Sequence, residues 1–262
     1  MEENIIEVLT RVEKKGDFFF KRDDDFEIYN AKGGKARSAY QIITNALRNK
    51  GTTSFTTAGS RFSPQCEIVS NICESMGLQA HLFMPSGKQT SITENILRNG
   101  NSTIHRTKVG YNSVICSYAK KFAIENSSFY IPFGMECVEN IEITKHQVQN
   151  IPKEVKRIVV PCGSGMSMIS IIKGLEYYKM FDKEVIGVVV GKNPQINFKK
   201  FIHNSLFCQC DIKFTFVNSS LKYEEKPQTT QFCGIDLDPI YESKCIPFLE
   251  EGDLLWIVGK RN

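Results

Sequence analysis

The sequence lacks the long apolar runs that mark membrane proteins and the leader that marks secreted ones. No stretch of the 262 residues approaches the roughly 18 consecutive apolar residues that a membrane-spanning helix needs. The first residues, MEENIIEVLT, are acidic and amphipathic, whereas a signal peptide begins with basic residues and continues into an apolar core. These absences predict a cytoplasmic protein that does not enter a membrane.

The sequence also lacks cysteine pairs and metal-ligand spacings. It has nine cysteines, an odd number, without a CxxC pair. The spacing of the closest two, Cys208 and Cys210, favours neither a disulfide framework nor a zinc knuckle. The histidines are dispersed and have no partner set for a metal; they are His81, His105, His146 and His203. We therefore expect reduced, mostly buried thiols and no metal ion.

A dense run of lysine or arginine is absent as well. The net charge is +4 and the isoelectric point is near 8.5, so composition does not indicate a dedicated nucleic-acid-binding protein. An anionic small ligand would suit this mild charge. No internal repeat, low-complexity tract or linker rich in Pro, Gly and Ser separates the chain into parts. Any two domains are therefore expected to be closely interleaved.

What the sequence does have is a repeated alternation of short β-branched runs with helical patterns. The spacing predicts a helix over 38–51 that stops at a glycine, and a second helix over 63–77 with Ser63 as N-cap and Pro64 at its first position. Further helices are predicted over 91–100, 111–126, 137–152, 166–179 and 194–208, and strands over 53–59, 78–85, 102–109, 127–134, 156–165, 184–192, 212–218 and 253–259. Near-continuous apolar strands between helices predict an α/β fold with largely parallel sheets.

The loop in IVVPCGSGMSMISIIKGL (158–175) has the pattern of a phosphate site. A hydrophobic strand runs into Gly163, Ser164 and Gly165, and a helix begins immediately. Free backbone N–H groups and a helix N-terminus at one point favour phosphate binding. The loop is neither a dinucleotide fingerprint nor a P-loop, because it lacks the GxGxxG spacing and the GK[ST] ending. A tight strand-to-helix turn without a ligand remains the alternative.

Lys35 lies in AKGGKARSAYQII (31–43), directly after two glycines and at the start of an amphipathic helix. A lysine in this position together with a phosphate-binding loop is the minimum set for pyridoxal phosphate, because the lysine forms a Schiff base and the loop holds the phosphate. A solvated lysine at a helix start is the alternative for Lys35 taken alone.

Four motifs in order carry a family resemblance. FFKRDD (19–24), GGKARSAY (33–40), YIPFG (130–134) and GIDLDPIYESK (234–244) stand in the order and spacing found in a known group of enzymes. The chain resembles pyridoxal-phosphate enzymes of the tryptophan synthase β type (fold type II), in particular the branch with 1-aminocyclopropane-1-carboxylate deaminase and D-cysteine desulfhydrase. The resemblance covers the chain from residue 19 to its end.

The resemblance implies an architecture of two interleaved three-layer α/β domains with largely parallel sheets. The large cofactor-binding domain would combine residues 1–36 with 133–262, and the small inserted domain would comprise residues 37–132. The cofactor, pyridoxal 5'-phosphate, and the substrate would lie in the cleft. A homodimer is also implied.

The resemblance assigns roles to single residues. Lys35 matches the Schiff-base lysine, which also returns a proton to the substrate carbon. The phosphate cradle matches Gly163, Ser164, Gly165, Met166 and Ser167.

A substrate loop is implied over TTAGSRFSPQ (56–65). Ser63 matches the serine that binds the substrate carboxylate, and Ser60, Arg61 and Gln65 are further candidates for substrate binding. The loop is one residue longer than its counterpart and lacks the family's SN pair, which predicts altered substrate recognition. Arg61 suits a carboxylate or a phosphate, and a surface loop arginine is the alternative.

The region around residue 233 departs from the family. Cys233 stands where this branch has a glutamate that hydrogen-bonds the pyridine nitrogen, and a neutral thiol stabilises a protonated ring less well. Related branches have serine or threonine there and perform β-elimination and β-replacement. Phe232 replaces the tyrosine of the ring-opening deaminases, which argues against ring opening. Tyr241 is a catalytic candidate near the site, with a packed core tyrosine as the alternative.

The sequence therefore predicts a lyase or transferase that depends on pyridoxal phosphate and acts on an amino acid through Lys35, by α-proton abstraction with β-elimination, β-replacement or deamination. One alternative is an amino acid attached to a larger group, such as a nucleotide or a modified DNA base; nucleic acid would enter only as such a substrate. The contrasting hypothesis is a non-catalytic protein that binds a phosphate ligand on the same fold.

Overall fold

The computed structural model describes residues 8–108, 110–191, 194–203 and 211–259, and its secondary structure is mixed α/β. The chain forms two compact units. The first contains the described residues up to 26 and from 138 to 259, and the second contains residues 27–137. The sequence predicts domain limits after residue 36 and before residue 133. These limits remain a prediction and differ by several residues from the limits of the two compact units.

The first unit is built on a six-stranded sheet. In spatial order its strands are β1 (Val12–Lys15), β2 (Phe18–Arg22), β14 (Leu254–Ile257), β9 (Arg157–Cys162), β10 (Glu184–Val189) and β11 (Lys213–Asn218). β1 and β2 are antiparallel, and the other neighbouring pairs are parallel. The five parallel strands β2, β14, β9, β10 and β11 thus have their carboxyl ends at one edge of the sheet. Ligands bind at this edge in open α/β sheets. A separate antiparallel hairpin joins β12 (Gln231–Phe232) to β13 (Ile235–Asp236).

The second unit is built on a four-stranded parallel sheet. In spatial order its strands are β7 (Ser102–Thr107), β6 (Gln79–Pro85), β5 (Ser54–Ala58) and β8 (Phe129–Ile131). A small antiparallel pair, β3 (Glu27–Ile28) and β4 (Ala31–Lys32), precedes it in the chain.

Seven α-helices connect the described strands. They are α1 (Gly34–Lys50), α2 (Pro64–Ser75), α3 (Ser91–Arg98), α4 (Asn112–Glu125), α5 (Val138–Thr144), α6 (Met166–Tyr177) and α7 (Gln195–Phe198). Short 3-10 segments are found at Asp23–Asp25, Phe133–Met135, Lys145–Val148 and Glu242–Phe248, and a π-helical turn at Lys199–His203. None of the helices within the described ranges is long and apolar enough to cross a membrane.

Both faces of each large sheet are covered, as the near-continuous apolar strands predict. In β9, Ile158 belongs to the apolar cluster that includes α6, whereas Val159 belongs to the cluster on the opposite face. In β6, Phe83 packs in one cluster with Ile115 of α4, and the alternate residue Leu82 is fully buried. Each sheet therefore forms the middle of a layered α/β unit.

The predicted elements are found with shifted limits. α1 begins at Gly34 rather than at residue 38, so Lys35 lies inside its first turn. It is followed by Gly51, which has the left-handed conformation that favours glycine. The helix predicted over 137–152 is divided into α5 and a 3-10 segment. Of the helix predicted over 194–208, the part from 204 onward lies outside the described residues, as do Cys208 and Cys210. The patterns did not predict β1 to β4 or the β12–β13 hairpin.

The KRDD motif forms a network of polar contacts at the end of β2. The Arg22 guanidinium pairs with Asp24 at 2.8 Å and with Glu13 at 2.6 Å. Asp23 is buried and accepts a 3.0 Å hydrogen bond from the Trp256 indole. The motif thus ties β2 to the neighbouring strands β1 and β14.

Candidate active site

The predicted phosphate loop lies at the carboxyl end of β9. Gly165 has φ 81° and ψ −1°, and α6 begins at the next residue. The Ile169 N–H makes a hydrogen bond of 3.0 Å to the Gly165 carbonyl oxygen. The N–H groups of the first turn, those of Met166, Ser167 and Met168, precede that bond and have no intrahelical acceptor. This set of donors at a positive helix end suits a phosphate.

The loop passes close to neighbouring side chains at two of its glycines. A Cβ on Gly165 would lie 2.8 Å from Cβ of Pro194, and a Cβ on Gly163 would lie 3.1 Å from the Tyr241 hydroxyl oxygen. The buried Asn197 holds the loop by donating from Nδ2 to the Ser164 carbonyl oxygen at 2.8 Å. The loop has no side chain at Gly163 and Gly165 and offers backbone N–H donors, so it fits the phosphate group of pyridoxal phosphate.

Two tyrosines lie over the carboxyl ends of neighbouring strands. Tyr241 contacts Gly163 after β9, and a Cβ on Gly191 after β10 would lie 2.9 Å from the Tyr223 ring. The two hydroxyl oxygens are 3.4 Å apart, and the rings meet edge to face. The structure thus brings the predicted Tyr241 to the phosphate loop. The sequence analysis missed Tyr223. The one signal in the sequence was Gly191, because a glycine directly after an apolar strand indicates that another side chain packs closely against the backbone there.

The GIDLDPIYESK motif positions this tyrosine pair. Asp238 accepts hydrogen bonds from the backbone N–H groups of Ile240 at 2.8 Å and Tyr241 at 3.0 Å. The buried Lys244 donates to the carbonyl oxygens of Lys222 at 2.6 Å and Tyr223 at 2.9 Å. The motif therefore holds both tyrosine backbones by hydrogen bonds.

Cys233 lies at the tip of the β12–β13 hairpin. Cys233 and Gly234 have φ values of 47° and 74°, and the two residues form the turn between the paired Phe232 and Ile235. Positive φ at both central residues is typical of a two-residue hairpin turn. The Cys233 side chain is exposed, while the Phe232 ring packs edge to face on Phe18 with the ring centroids 4.9 Å apart.

Glu242, next to Tyr241, is a buried acid that the sequence analysis did not single out. Its Oε1 accepts hydrogen bonds from the backbone N–H groups of Val258 at 2.9 Å and Gly259 at 3.4 Å. Its Oε2 is buried and has no hydrogen-bond partner among the described residues. Burial, together with the nearby Asp238 carboxylate, raises the pKa of Glu242 to about 8. Local sequence carried no signal for this, because burial depends on the packing of distant segments.

Lys35 belongs to the second unit, where it is the second residue of α1. The helix is preceded by Gly33, whose φ of 88° and ψ of 172° turn the chain sharply into the first turn. Lys35 is half-buried, while Ala36 and Arg37 beside it are buried. The backbone of the lysine is therefore anchored by a packed first turn.

The predicted substrate loop connects β5 to α2 in the same unit. Ser63 is the N-cap residue of α2, as predicted, but its side chain makes no capping hydrogen bond, and Pro64 follows it. The backbone N–H of Ser63 donates to the Ser60 carbonyl oxygen at 3.0 Å, which closes a turn. The Ser63 hydroxyl is therefore not used by the helix that it precedes.

Arg61 is held within its own unit. Its Nη1 donates to the Lys88 carbonyl oxygen at 2.6 Å, and a Cβ on Gly87 would overlap its guanidinium group. Thr90 donates from its hydroxyl to the Arg61 carbonyl oxygen at 2.8 Å. The neighbouring Phe62 is more than half exposed.

Gln65 is buried and ties the loop to the YIPFG motif. Its Nε2 donates to the Pro132 carbonyl oxygen at 2.8 Å and to the Thr57 hydroxyl at 2.9 Å. The Thr57 hydroxyl donates in turn to the Ile131 carbonyl oxygen. The other amide atom, Oε1, is buried without a hydrogen-bond partner among the described residues.

The predicted site residues thus fall into two groups. Gly163 to Ser167 and Tyr241 meet in the first unit, which also contains Cys233 in its hairpin, and Lys35 shares the second unit with the substrate loop 60–65.

Two histidines that the sequence separates are neighbours in the structure. His81 Nδ1 and His105 Nε2 are 3.2 Å apart on adjacent strands, and burial lowers the pKa of both. The described part of the chain contains no group of three or more His, Cys, Asp or Glu side chains that could hold a metal ion.

Comparisons with known proteins bear on this site. A family model described as pyridoxal-phosphate-dependent enzyme matches residues 8–216. No curated protein matches the chain. Among solved structures, an ACC deaminase homologue is 18% identical, with a TM-score of 0.76 and coverage of 97% of this chain and 90% of that chain.

Two further structures are similar. Threonine deaminase isoform 2 from Solanum lycopersicum is 13% identical, with a TM-score of 0.69, and 98% of this chain and 85% of that chain are covered. A hydrogen sulfide-producing enzyme from Fusobacterium nucleatum is 13% identical, with a TM-score of 0.70, and 100% of this chain and 97% of that chain are covered. These likenesses confirm the predicted fold class.

Proposed function

The chain belongs to the family of pyridoxal-phosphate-dependent enzymes, and from this premise we propose that it is an amino-acid lyase or transferase in which Lys35 binds the cofactor. The cofactor and the enzymatic nature predicted from the sequence are confirmed by this membership. The reaction, the site residues, the homodimer and the cytoplasmic location stay predictions.

Lys35 and the loop 163–167 have separate roles toward the cofactor in this proposal. The backbone N–H groups at the start of α6 bind the phosphate, because they point to one place and carry the positive end of the helix dipole. The Lys35 ammonium, once deprotonated, supplies the nucleophile for the cofactor aldehyde. When bound, pyridoxal phosphate draws electron density from the α-carbon of an amino acid.

The amino-acid carboxylate is assigned to the loop before α2. The single observation that carries this step is the Ser63 hydroxyl at the N-terminus of α2, which makes no capping hydrogen bond. A hydroxyl donor and the first N–H groups of a helix together suit a carboxylate. Bound in this way, the substrate would present its α-hydrogen for removal, and Lys35 would carry that proton and return it.

Cys233 and Phe232 support a reaction other than ring opening. A neutral group at 233 and an apolar ring at 232 match the branches that lose or replace a substituent on the β-carbon rather than those that open a cyclopropane. We propose β-elimination or β-replacement on a small amino acid.

A second candidate substrate is an amino acid carried on a larger group. It is favoured by Phe62, which is 57% exposed beside Ser63 and offers an apolar surface on the substrate loop. Arg61 is already bound to a carbonyl oxygen within its unit. In this candidate, the larger group would therefore contact the exposed Phe62 ring rather than the Arg61 guanidinium.

The test measures exchange at the α-carbon. The purified holoenzyme is incubated in D2O with single L- and D-amino acids that carry a leaving group on the β-carbon, and with the same amino acids coupled to a nucleotide. Deuterium at the α-carbon is followed by NMR and 2-oxo acid by a coupled assay. Exchange and 2-oxo acid with a free amino acid are expected. Exchange with the conjugates only would support the second candidate, and a loaded enzyme that exchanges no substrate in the panel would overturn the proposal.

A further inference from the structure

The short helix α7 packs against the phosphate loop from one side. A Cβ on Gly165 would lie 2.8 Å from Cβ of Pro194 and 3.3 Å from the Phe198 ring. Asn197, which is only 9% exposed, donates from Nδ2 to the Ser164 carbonyl oxygen at 2.8 Å. One polar side chain of α7 therefore reaches the backbone of the loop.

The direction of this hydrogen bond follows from the chemistry of its two groups. The Ser164 carbonyl oxygen can only accept, so the Asn197 atom that faces it is the amide nitrogen. An aspartate has nearly the same shape but only acceptor oxygens when it is ionised, so it could not make this bond.

The bond also determines where the Gly165 N–H group points. None of the described peptide bonds is cis, so the Ser164 carbonyl and the Gly165 N–H, which share one peptide plane, point in opposite directions. The Gly165 N–H therefore points away from Asn197, and it makes no hydrogen bond to a described residue. A left-handed residue followed by a helical one, as at Gly165 and Met166, gathers successive N–H groups into an anion-binding concavity.

The opposite orientation of this peptide is accessible without the hydrogen bond. The peptide turns over by coupled changes in ψ of Ser164 and φ of Gly165, and glycine adopts φ values of either sign. Turned over, the carbonyl oxygen would face the concavity and repel an anion. The Asn197 amide opposes this rotation.

We propose that Asn197 is a positioning residue for the phosphate group of pyridoxal phosphate. By holding the Ser164 carbonyl oxygen, it keeps the Gly165 N–H directed at the phosphate. The inference rests on the proposed cofactor site and adds to it a residue of α7 that lies outside the sequence motifs. The effect of Asn197 is specific to the phosphate, since the peptide that it holds acts on that group alone.

The test compares pyridoxal phosphate with pyridoxal, which lacks the phosphate. Equilibrium dialysis gives Kd of both compounds for wild type, Asn197→Ala and Asn197→Asp. Both variants are expected to bind pyridoxal phosphate about tenfold more weakly, because the donor to the peptide is lost, and to bind pyridoxal within about twofold of wild type. Ile196→Ala, at an exposed position of the same helix, is expected to change neither Kd. Equal weakening toward both compounds, or no weakening, would overturn the proposal.

A second measurement follows the Gly165 N–H group by NMR. Labels on the serine carbonyl carbon and the glycine nitrogen select the two Ser–Gly pairs of the chain, at 86–87 and 164–165, and Ser86→Ala removes the first. The Gly165 amide proton of wild type is expected to shift downfield when inorganic phosphate is added, and that of Asn197→Ala to shift much less. An equal shift in both proteins, or none in wild type, would contradict the role of Asn197.

The two experiments keep this inference apart from the proposed function. Borohydride reduction and peptide mapping show whether wild type carries the cofactor on Lys35. A missing adduct contradicts the proposed function, while the phosphate titration still decides where the Gly165 N–H points. If neither Asn197 variant folds, wild type decides alone: a Gly165 amide that stays unshifted in saturating phosphate rejects the proposal, and one that shifts supports it.

Discussion

The ammonium group of Lys244 donates a 2.9 Å hydrogen bond to the carbonyl oxygen of Tyr223, 21 residues earlier in the chain. A second bond reaches the Lys222 carbonyl oxygen at 2.6 Å. Tyr223 packs against Gly191, and its hydroxyl lies beside that of Tyr241, which contacts the phosphate loop at Gly163. The buried lysine therefore fixes the position of a side chain that packs next to the phosphate loop.

Replacing Lys244 with methionine removes both hydrogen bonds while keeping most of the apolar stem. We expect the free energy of unfolding to fall by about 3 kcal/mol, since two carbonyl oxygens lose a charged donor. Lys222→Met is the matched control: its side chain is exposed and only its backbone is used, so a change below about 0.5 kcal/mol is expected. Urea unfolding of the apoproteins measures both, and equal effects would contradict this role of Lys244.

Gly165 is the position in the loop where a side chain is least tolerated. Gly165→Ala places a Cβ in the left-handed region, at a cost of about 1–2 kcal/mol, and 2.8 Å from Cβ of Pro194. Gly51→Ala, also at positive φ but with open space around its Cβ, carries the conformational cost alone. We expect Gly165→Ala to lose more stability in thermal unfolding and to bind pyridoxal phosphate more weakly. Identical losses would show that the loop is not closely packed.

The phosphate loop could be predicted because its signals are local. A strand that runs into a glycine-rich turn and then a helix is a pattern of neighbouring residues, and the structure has β9, Gly165 and α6 in that order. The same holds for Ser63 before Pro64 at the start of α2.

The residues that sequence reasoning missed depend on distant segments. Glu242 in YESK looks like a surface acid, but it is buried in the fold, where it accepts a hydrogen bond from the Val258 N–H, 16 residues further along the chain. Tyr223 meets Tyr241 across 18 residues. β2 carries a lysine and an arginine and lacks strict alternation, so its place next to β14 could not be inferred from its own pattern.

Ser63 offers a kinetic test of carboxylate binding. Ser63→Ala removes one donor to a carboxylate, and we expect KM for the amino-acid substrate to rise about tenfold with a smaller change in kcat. Ser75→Ala, at the exposed end of the same helix, is expected to leave both constants unchanged. A fall in kcat at constant KM would assign Ser63 to a later step instead.

Glu242 predicts a pH dependence of stability for the apoprotein. Its pKa is about 8 in the folded protein and near 4.5 when exposed, so the folded state holds a proton that the unfolded state releases. Stability is therefore fully present below pH 4.5 and declines as the pH rises to about 8. We expect the decline to exceed about 1.4 kcal/mol, the equivalent of one pKa unit, and to be absent in Glu242→Gln. Urea unfolding between pH 5 and pH 8 measures it; the same slope in both proteins would place the titration elsewhere.

The most direct test of the central claim is covalent capture of the cofactor on Lys35. The protein is incubated with pyridoxal phosphate, its visible spectrum is recorded, and borohydride reduction is followed by peptide mass mapping. Lys35→Ala is compared with Lys32→Ala, which removes an exposed lysine three residues earlier. The account predicts a visible band and a reduced adduct on Lys35 in wild type and Lys32→Ala, and neither in Lys35→Ala. A colourless wild type, or an adduct on another lysine, would contradict it.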